Sequence, residues 1–202
     1  MTPKHPRCSK ILAPPEGNVI VYQDFFDEQT SNDYFARLFT EIEWRQQHIK
    51  LYGRTIAQPR LTAWHGEPGV CYRYSGITLT AHGWTETLYS IKQALKTVIR
   101  APFNSVLLNL YRDGNDSMSW HSDDEKELGE NPALASISFG ASRRFQFKHK
   151  HDKALANINL ELANGSLLIM QGNTQHRWQH QLPKVSKPVA PRINLTFRTI
   201  IQ

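Results

Sequence analysis

Residues 133–148 read ALASISFGASRRFQFK. They hold two short β-prone runs, Ala133–Phe139 and Arg143–Lys148, and the grammar on either side is the same. Ser105–Tyr111 precedes them, and Ile158–Leu162, Ser166–Met170, Arg177–Leu182 and Arg192–Ile200 follow. Turn signals separate the runs: Asp113-Gly114, Asn131-Pro132, Asn164-Gly165 and Gly172-Asn173. Many short strands at this spacing specify a jelly roll or sandwich, because a parallel sheet would need a helix between successive strands. Upstream the periodicity changes. Asn18–Tyr22 reads as a strand, and Tyr34, Phe35, Leu38, Phe39 and Ile42 recur at helical spacing behind the caps Thr30 and Ser31. A second helix is predicted from Trp84 to Arg100, with Leu88, Ile91, Leu95 and Ile99 on one face and Pro102 ending it. The expected fold is therefore mainly β with N-terminal helices: a flexible basic arm over 1–17, then one domain over 18–202 whose double-stranded β-helix core spans 103–202.

Composition bounds the rest. A chain of 202 residues with 40% hydrophobic and 21% charged residues suits one globular domain and excludes both wholesale disorder and a multidomain machine. Lys and Arg exceed Asp and Glu by 24 to 18, a formal charge of +6, which favours polyanionic partners or simply solubility. Cys8 and Cys71 are too few for a disulfide framework or a four-thiolate zinc site and suit a reducing compartment. No apolar run approaches the roughly 20 residues needed to cross a bilayer, and the start lacks a signal peptide's apolar core. An intracellular protein is expected, cytoplasmic in a bacterium or nuclear in a eukaryote.

Trp120-His121-Ser122-Asp123 places an imidazole and a carboxylate two residues apart, on the same side of an extended segment. With a distant second His, such a pair supplies one face of an octahedron and leaves three positions open, the 2-His-1-carboxylate arrangement of non-haem iron. Composition alone gives roughly 0.8 His-x-acid pairs; the other one present is His65-Gly66-Glu67, which nothing downstream completes. His149, His151, His176 and His180 are the candidates for the second His. His149 and His151 lie among five basic residues, which disfavour a cation there and suit phosphate contact or plain surface. Period-two alternation would put His176 and His180 on one face, and the segment is too short for the helix of a His-x3-His zinc site.

Arg192-Ile193-Asn194-Leu195-Thr196-Phe197-Arg198 alternates apolar with polar residues, so one face of this strand is apolar and the other cationic. Arg pairs bidentately with carboxylates. Beside a His121/Asp123 metal site, such a face points to a small dicarboxylate.

These motifs, in this order, resemble the AlkB family of iron(II)- and 2-oxoglutarate-dependent nucleic-acid demethylases: Asn109-Leu110-Tyr111, His121-Ser122-Asp123, His180 in Trp178-Gln179-His180-Gln181-Leu182-Pro183, then Arg192 through Arg198. The likeness runs from about Leu51 to Ile200 and is nearest to the DNA-repair branch. It implies Fe(II) on His121, Asp123 and His180, leaving His176 structural. It also implies O2 as co-reactant and 2-oxoglutarate held by Asn109, Tyr111, Arg192, Asn194 and Arg198. The implied reaction removes methyl groups from 1-methyladenine and 3-methylcytosine, coupling 2-oxoglutarate decarboxylation to methyl hydroxylation and formaldehyde release.

The same resemblance assigns the nucleic-acid contacts. A flipped base would stack on Tyr74, with Tyr72 beside it and Glu125 facing its exocyclic amine, under a nucleotide-recognition lid within 18–102. Leu51-Tyr52-Gly53 occupies the place of the family's duplex-probing finger and stands before Arg60. Arg143, Arg144 and Lys148, in a stretch carrying five basic residues against Asp152, are expected to meet phosphates, with Phe145 and Phe147 turned the other way. Alkylated DNA, double- or single-stranded, is the expected partner of a monomer. RNA, a protein substrate, or nucleic-acid binding without catalysis are the alternatives.

Overall fold

The computed structural model describes residues 10–12, 16–51, 53–74 and 77–201, without side chains at 10–12, 50–51, 71–74 and 77–80. Before residue 103 come β1 (Lys10–Leu12), β2 (Asn18–Tyr22), α1 (Glu28–Glu41), β3 (His48–Leu51), β4 (Arg54–Ala57), β5 (Leu61–Gly66), β6 (Cys71–Tyr74), β7 (Ile77–Thr80) and α2 (Glu86–Leu95). After it come β8 (Ser105–Tyr111), β9 (Met118–His121), β10 (Leu134–Gly140), β11 (Arg143–His149), β12 (Ile158–Leu162), β13 (Leu167–Gln171), α3 (Thr174–Arg177), β14 (Trp178–Leu182) and β15 (Arg192–Arg198). Seven strands form one sheet in the order β1-β2-β13-β10-β15-β8-β5, four form a second in the order β12-β11-β14-β9, and β3–β4 and β6–β7 are separate hairpins. This is the jelly-roll architecture expected.

Period-two alternation sorts the large sheet's side chains into two layers. Val106, Leu108 and Leu110 of β8, Ile137 and Phe139 of β10 and Ile193, Leu195 and Phe197 of β15 pack with Leu38 of α1 and Leu88, Ile91 and Leu95 of α2. On the other face Val19, Val21, Leu134, Leu168 and Met170 meet Phe145, Phe147, Leu160, Leu162, Trp178 and Leu182 of the small sheet. Both faces of the large sheet are thus covered, and every residue of β15 is buried. Its polar face lines the space between the sheets instead of meeting solvent.

Three expectations shift. α1 begins earlier than predicted, because Asp27 caps it by accepting from Thr30 N at 2.8 Å, and Ser31 is buried inside the helix. Lys10–Leu12 of the expected arm pairs antiparallel with β2. The large sheet also ignores a division at 102, since β2 and β5 belong to it. At the β5 edge, isolated bridges join Arg45 to Thr62 and His65 to His82.

The Asn164-Gly165 turn brings α1's start against β10. Gly165 has φ +79°, its N–H donates to Ser138 O at 2.8 Å, and its carbonyl accepts from Phe26 N at 3.1 Å. A Cβ there would lie 2.3 Å from Ser31 Oγ and 2.5 Å from Phe26 O, whereas Gly69, φ +84°, has nothing within 4 Å. Gly69→Ala then suffers only backbone strain, about 1 kcal/mol, and Gly165→Ala loses at least about 2 kcal/mol more. Urea unfolding of the two variants measures the difference; equal midpoints would contradict the packing described.

Candidate active site

β9 and β14 are antiparallel neighbours in register at His121 and His180, with a bulge before Leu182. The two imidazoles therefore stand side by side, ring centroids 4.2 Å apart. Asp123 follows β9 by two residues. One ligand atom from each of His121, Asp123 and His180 falls within 4.8 Å of the others, the single group of three His, Cys, Asp or Glu so placed among the described residues. His121 Nδ1–H donates to Ser119 O at 2.7 Å, which leaves Nε2 with its lone pair 3.9 Å from Asp123 Oδ1. Asp123 accepts from Arg198 Nη2 at 2.9 Å, and its own N–H donates to Gln175 Oε1 at 2.9 Å. His180 Nδ1 is buried without a partner, and its ring lies against Phe145 and Phe147.

Charge states suit a cation. Burial lowers His180 to about 3, helped by neighbouring His121, and burial also lowers His121. Burial pushes Asp123 up, but Arg198 and then the two imidazoles overcome it and hold the carboxyl at about 2. At neutral pH the cluster is two neutral imidazoles and one carboxylate, the form that metals require. The residues fit Fe(II) in a facial triad with open positions.

An inner cavity between the sheets reaches the triad and is lined by Asn109, Tyr111, Arg192, Asn194 and Arg198, all five of the cosubstrate residues expected. Arg192 is 2% exposed, its guanidinium lies 5.4 Å from the Tyr111 ring, and Nη2 donates to Ser138 Oγ at 2.8 Å. Burial lowers it to about 10, so it stays cationic, yet no carboxylate of the described residues pairs with it. A buried cation lacking a counter-ion calls for an anion from outside. Arg198, by contrast, belongs to Asp123, so the two Arg do not converge on one group. Asn194 is held by the fold: Nδ2 donates to Ser136 Oγ and Ile137 O, and Oδ1 accepts from Thr196.

An outer pocket shares Leu107, Met118, His121, Asp123 and Arg198 with the inner one and has Arg60, Thr62 and Glu125 among its other walls. Glu125 Oε2 is buried there without a partner, where a substrate amine was expected. Arg60 is held inward: Nε donates to Asn109 Oδ1 at 2.8 Å. The side chains of Leu51, Tyr72 and Tyr74 lie outside the described residues, as does Tyr52 altogether. Gly53 sits in the turn between β3 and β4, and all four residues of β4 are exposed.

Arg143 is a correction. It shares the parity of Phe145 and Phe147, is 2% exposed, and donates to the carbonyls of Asp113, Asp116 and Pro183. It ties loops together and cannot meet a phosphate. Arg144 is exposed, 3.9 Å from Glu161; Lys148 lies on the same outer face, 4.5 Å over the Trp120 ring. His176 is a second correction: it sits on the helical turn α3, not on the strand, is exposed, and contacts the Glu130 carbonyl. That turn is why His176 and His180 do not share a face. Ser138, Gln175 and the Arg60–Asn109 contact were not anticipated. Ser136 and Ser138, alternating with Ile137 and Phe139, are the pattern that marked one polar face on β10.

Residues 18–198 match the family described as the 2OG-Fe(II) oxygenase superfamily. Alpha-ketoglutarate-dependent dioxygenase alkB homolog 3 of mouse is 40% identical over 190 residues, covering 90% of this chain and 66% of that protein. The chain thus spans about two thirds of that relative's length. DNA oxidative demethylase ALKBH2 of human is 37% identical over 195 residues, covering 92% of this chain and 75% of that one. The structure of OsALKBH1 superposes with a TM-score of 0.66 at 13% identity, over 94% of this chain and 100% of the other, a likeness of fold.

The lowered imidazoles make the metal-free protein acid-sensitive. His180 binds its proton near pH 6.5 when unfolded but only near 3 when folded, so the unfolded state gains protons first and stability falls as pH drops from about 6.5 towards 3. Asp123 adds a loss in the same direction between its ordinary 3.8 and about 2. Urea midpoints of the EDTA-treated protein should decline steadily from pH 7 to pH 4.5, and His180→Phe should flatten the decline. A parent protein with a pH-independent midpoint would contradict the assignment.

Proposed function

Since the chain belongs to the 2OG-Fe(II) oxygenase superfamily, in its AlkB-like branch, we propose that it is an iron(II)- and 2-oxoglutarate-dependent dioxygenase that removes N-methyl groups from 1-methyladenine and 3-methylcytosine in DNA. The observation that carries this reading is the buried Arg192, without a carboxylate partner among the described residues, in the same cavity as the His121/Asp123/His180 cluster. The resemblance to relatives whose names include a DNA oxidative demethylase supplies the substrate class.

His121, Asp123 and His180 would hold the iron, and when bound it supplies the coupling of 2-oxoglutarate and O2 to hydroxylation of a methyl group. Arg192, with Tyr111 against its guanidinium, takes the distal carboxylate of 2-oxoglutarate, and Asn109 and Arg198 stand nearer the metal ligands. Hydrogen bonds to Ser119 O and Gln175 Oε1, and one from Arg198, orient two of the three ligands before anything binds. In the outer pocket Glu125 Oε2 accepts from the exocyclic amine of the methylated base, and its negative charge favours a base made cationic by methylation. A base stacked in a duplex cannot reach this pocket, so the nucleotide is flipped out, at a cost of a few kcal/mol. Tyr74 stacks on it, with Tyr72 beside it. Leu51, Tyr52 and Gly53, between β3 and β4 in sequence, fill the vacated place, which extends the substrate from single-stranded to duplex DNA. Arg144 and Lys148 meet the backbone.

Purified protein given Fe(II), 2-oxoglutarate and an oligonucleotide bearing 3-methylcytosine should release formaldehyde and succinate together. His121→Ala and Asp123→Ala should fall to background; full activity in either would sink the reading. Tyr52→Ala should lose activity on duplex substrate about tenfold while single-stranded activity holds, about 1.4 kcal/mol and so a part of the unstacking cost. Preference for methylated RNA or peptide in the same competition would reassign the substrate and leave the chemistry.

A further inference from the structure

One side-chain hydrogen bond runs through the wall between the two cavities. Asn109 lines the inner cavity and Arg60 the outer, and Arg60 Nε donates to Asn109 Oδ1 at 2.8 Å. Both residues are 5% exposed. A guanidinium has donors and no acceptor, so it dictates which end of the amide faces it. Oδ1 must turn to Arg60, and Nδ2, which has no hydrogen-bond partner among the described residues, is left for the inner cavity. Without Arg60 the amide is free to flip, and half of its orientations would present an oxygen to whatever occupies that cavity.

A carboxylate needs the donor end. We propose that Arg60 is a positioning residue for 2-oxoglutarate, acting through Asn109, rather than the nucleic-acid contact its place in the sequence suggests. This rests on reading Asn109 as a cosubstrate contact. The backbone around Arg60 suits a fixed part. Pro59 O accepts from Ser117 N at 2.8 Å, and Arg60 Nη1 donates to Ser117 O at 3.4 Å. Ser117 immediately precedes β9, the strand that ends in His121. Arg60 is therefore locked to the element that carries the metal ligands, and through Asn109 to β8. Because Arg60 also walls the outer pocket, one side chain sets a boundary of both binding spaces.

The test combines equilibrium binding of 2-oxoglutarate to the Mn(II)-loaded protein, followed by calorimetry, with steady-state kinetics of the iron enzyme. Arg60→Ala should bind 2-oxoglutarate about tenfold more weakly, the loss expected of one charge-assisted contact. Its KM for 2-oxoglutarate should rise in proportion, and by more than any change in the KM for methylated oligonucleotide, whose pocket Arg60 also borders. Asn109→Ala should show a similar loss, and the double variant no further one, because the two residues act as a unit. Arg60→Lys, which keeps a donor but lacks the fork, should recover part of the affinity and guards against a folding defect in the Ala variant. If Asn109→Ala is weakened and neither Arg60 variant is, the positioning role is overturned alone. If Asn109→Ala binds 2-oxoglutarate like the parent, the cosubstrate reading of Asn109 falls and takes the role of Arg60 with it. A raised KM for oligonucleotide with unchanged 2-oxoglutarate binding would return Arg60 to the substrate.

Discussion

The ion pair between Arg198 and Asp123 joins the two sheets at the point where the chemistry is proposed. Arg198 ends β15 in the centre of the large sheet, Asp123 follows β9 of the small one, and both side chains are about 5% exposed at a separation of 2.9 Å. Two ions removed from water cost several kcal/mol each, and their attraction repays this only with good geometry and further hydrogen bonds. Geometry and hydrogen bonds are both present: the Asp123 backbone is fixed by Gln175, itself fully buried, and two imidazoles stand beside the carboxylate. The pair therefore does more than hold layers together. It keeps Asp123 ionised in a place where an isolated carboxyl would take up a proton, and so keeps the cluster ready for a cation.

The inter-sheet space follows from the same arrangement. Central strands buried on both faces place Ile193, Leu195 and Phe197 under the helices and leave Arg192, Asn194, Thr196 and Arg198 facing the cavity. Arg198 finds a counter-ion within the fold, and Arg192 has no carboxylate partner among the described residues. The two arginines of one strand differ in their partners rather than in sequence, which supports the proposal that Arg192 takes an anion.

Much of this was legible beforehand for a physical reason. Alternation is a property of the strand itself, so the polar face of 192–198 and the pairing of His121 with Asp123 could be read directly. β8 and β12 were read with the bounds observed, because turn signals flank them. Partners across the sheet leave no such mark, and neither the Arg198–Asp123 pair nor the Arg60–Asn109 contact was visible. Local geometry misled in two places. The parity of Arg143 was assigned from its neighbours' charge and not from Phe145 and Phe147, which share its side of the strand. One helical turn at Thr174–Arg177 broke the alternation assumed between His176 and His180. The resemblance, not the periodicity, favoured His180, and the antiparallel register with His121 places the two rings together. The hairpin strands β3, β4, β6 and β7 were missed because four residues are too few to establish alternation, and β5 because its last three residues, Trp64, His65 and Gly66, are all buried and break it.

Those missed hairpins sit beside β5, the last strand of the large sheet, which would otherwise present an open row of backbone donors and acceptors. Arg45 and Thr62 exchange both backbone hydrogen bonds, and His82 bridges β5 by accepting from Gly66 N at 2.8 Å and donating its own N–H to Trp64 O at 3.0 Å. The outer side of β5 is thus occupied at two points by segments leading to and from the hairpins. A jelly roll left open at this margin would be free to pair with the edge of another molecule. The segments that lead to the proposed substrate contacts therefore also take up, at two points, backbone groups that an edge strand would otherwise offer to another molecule.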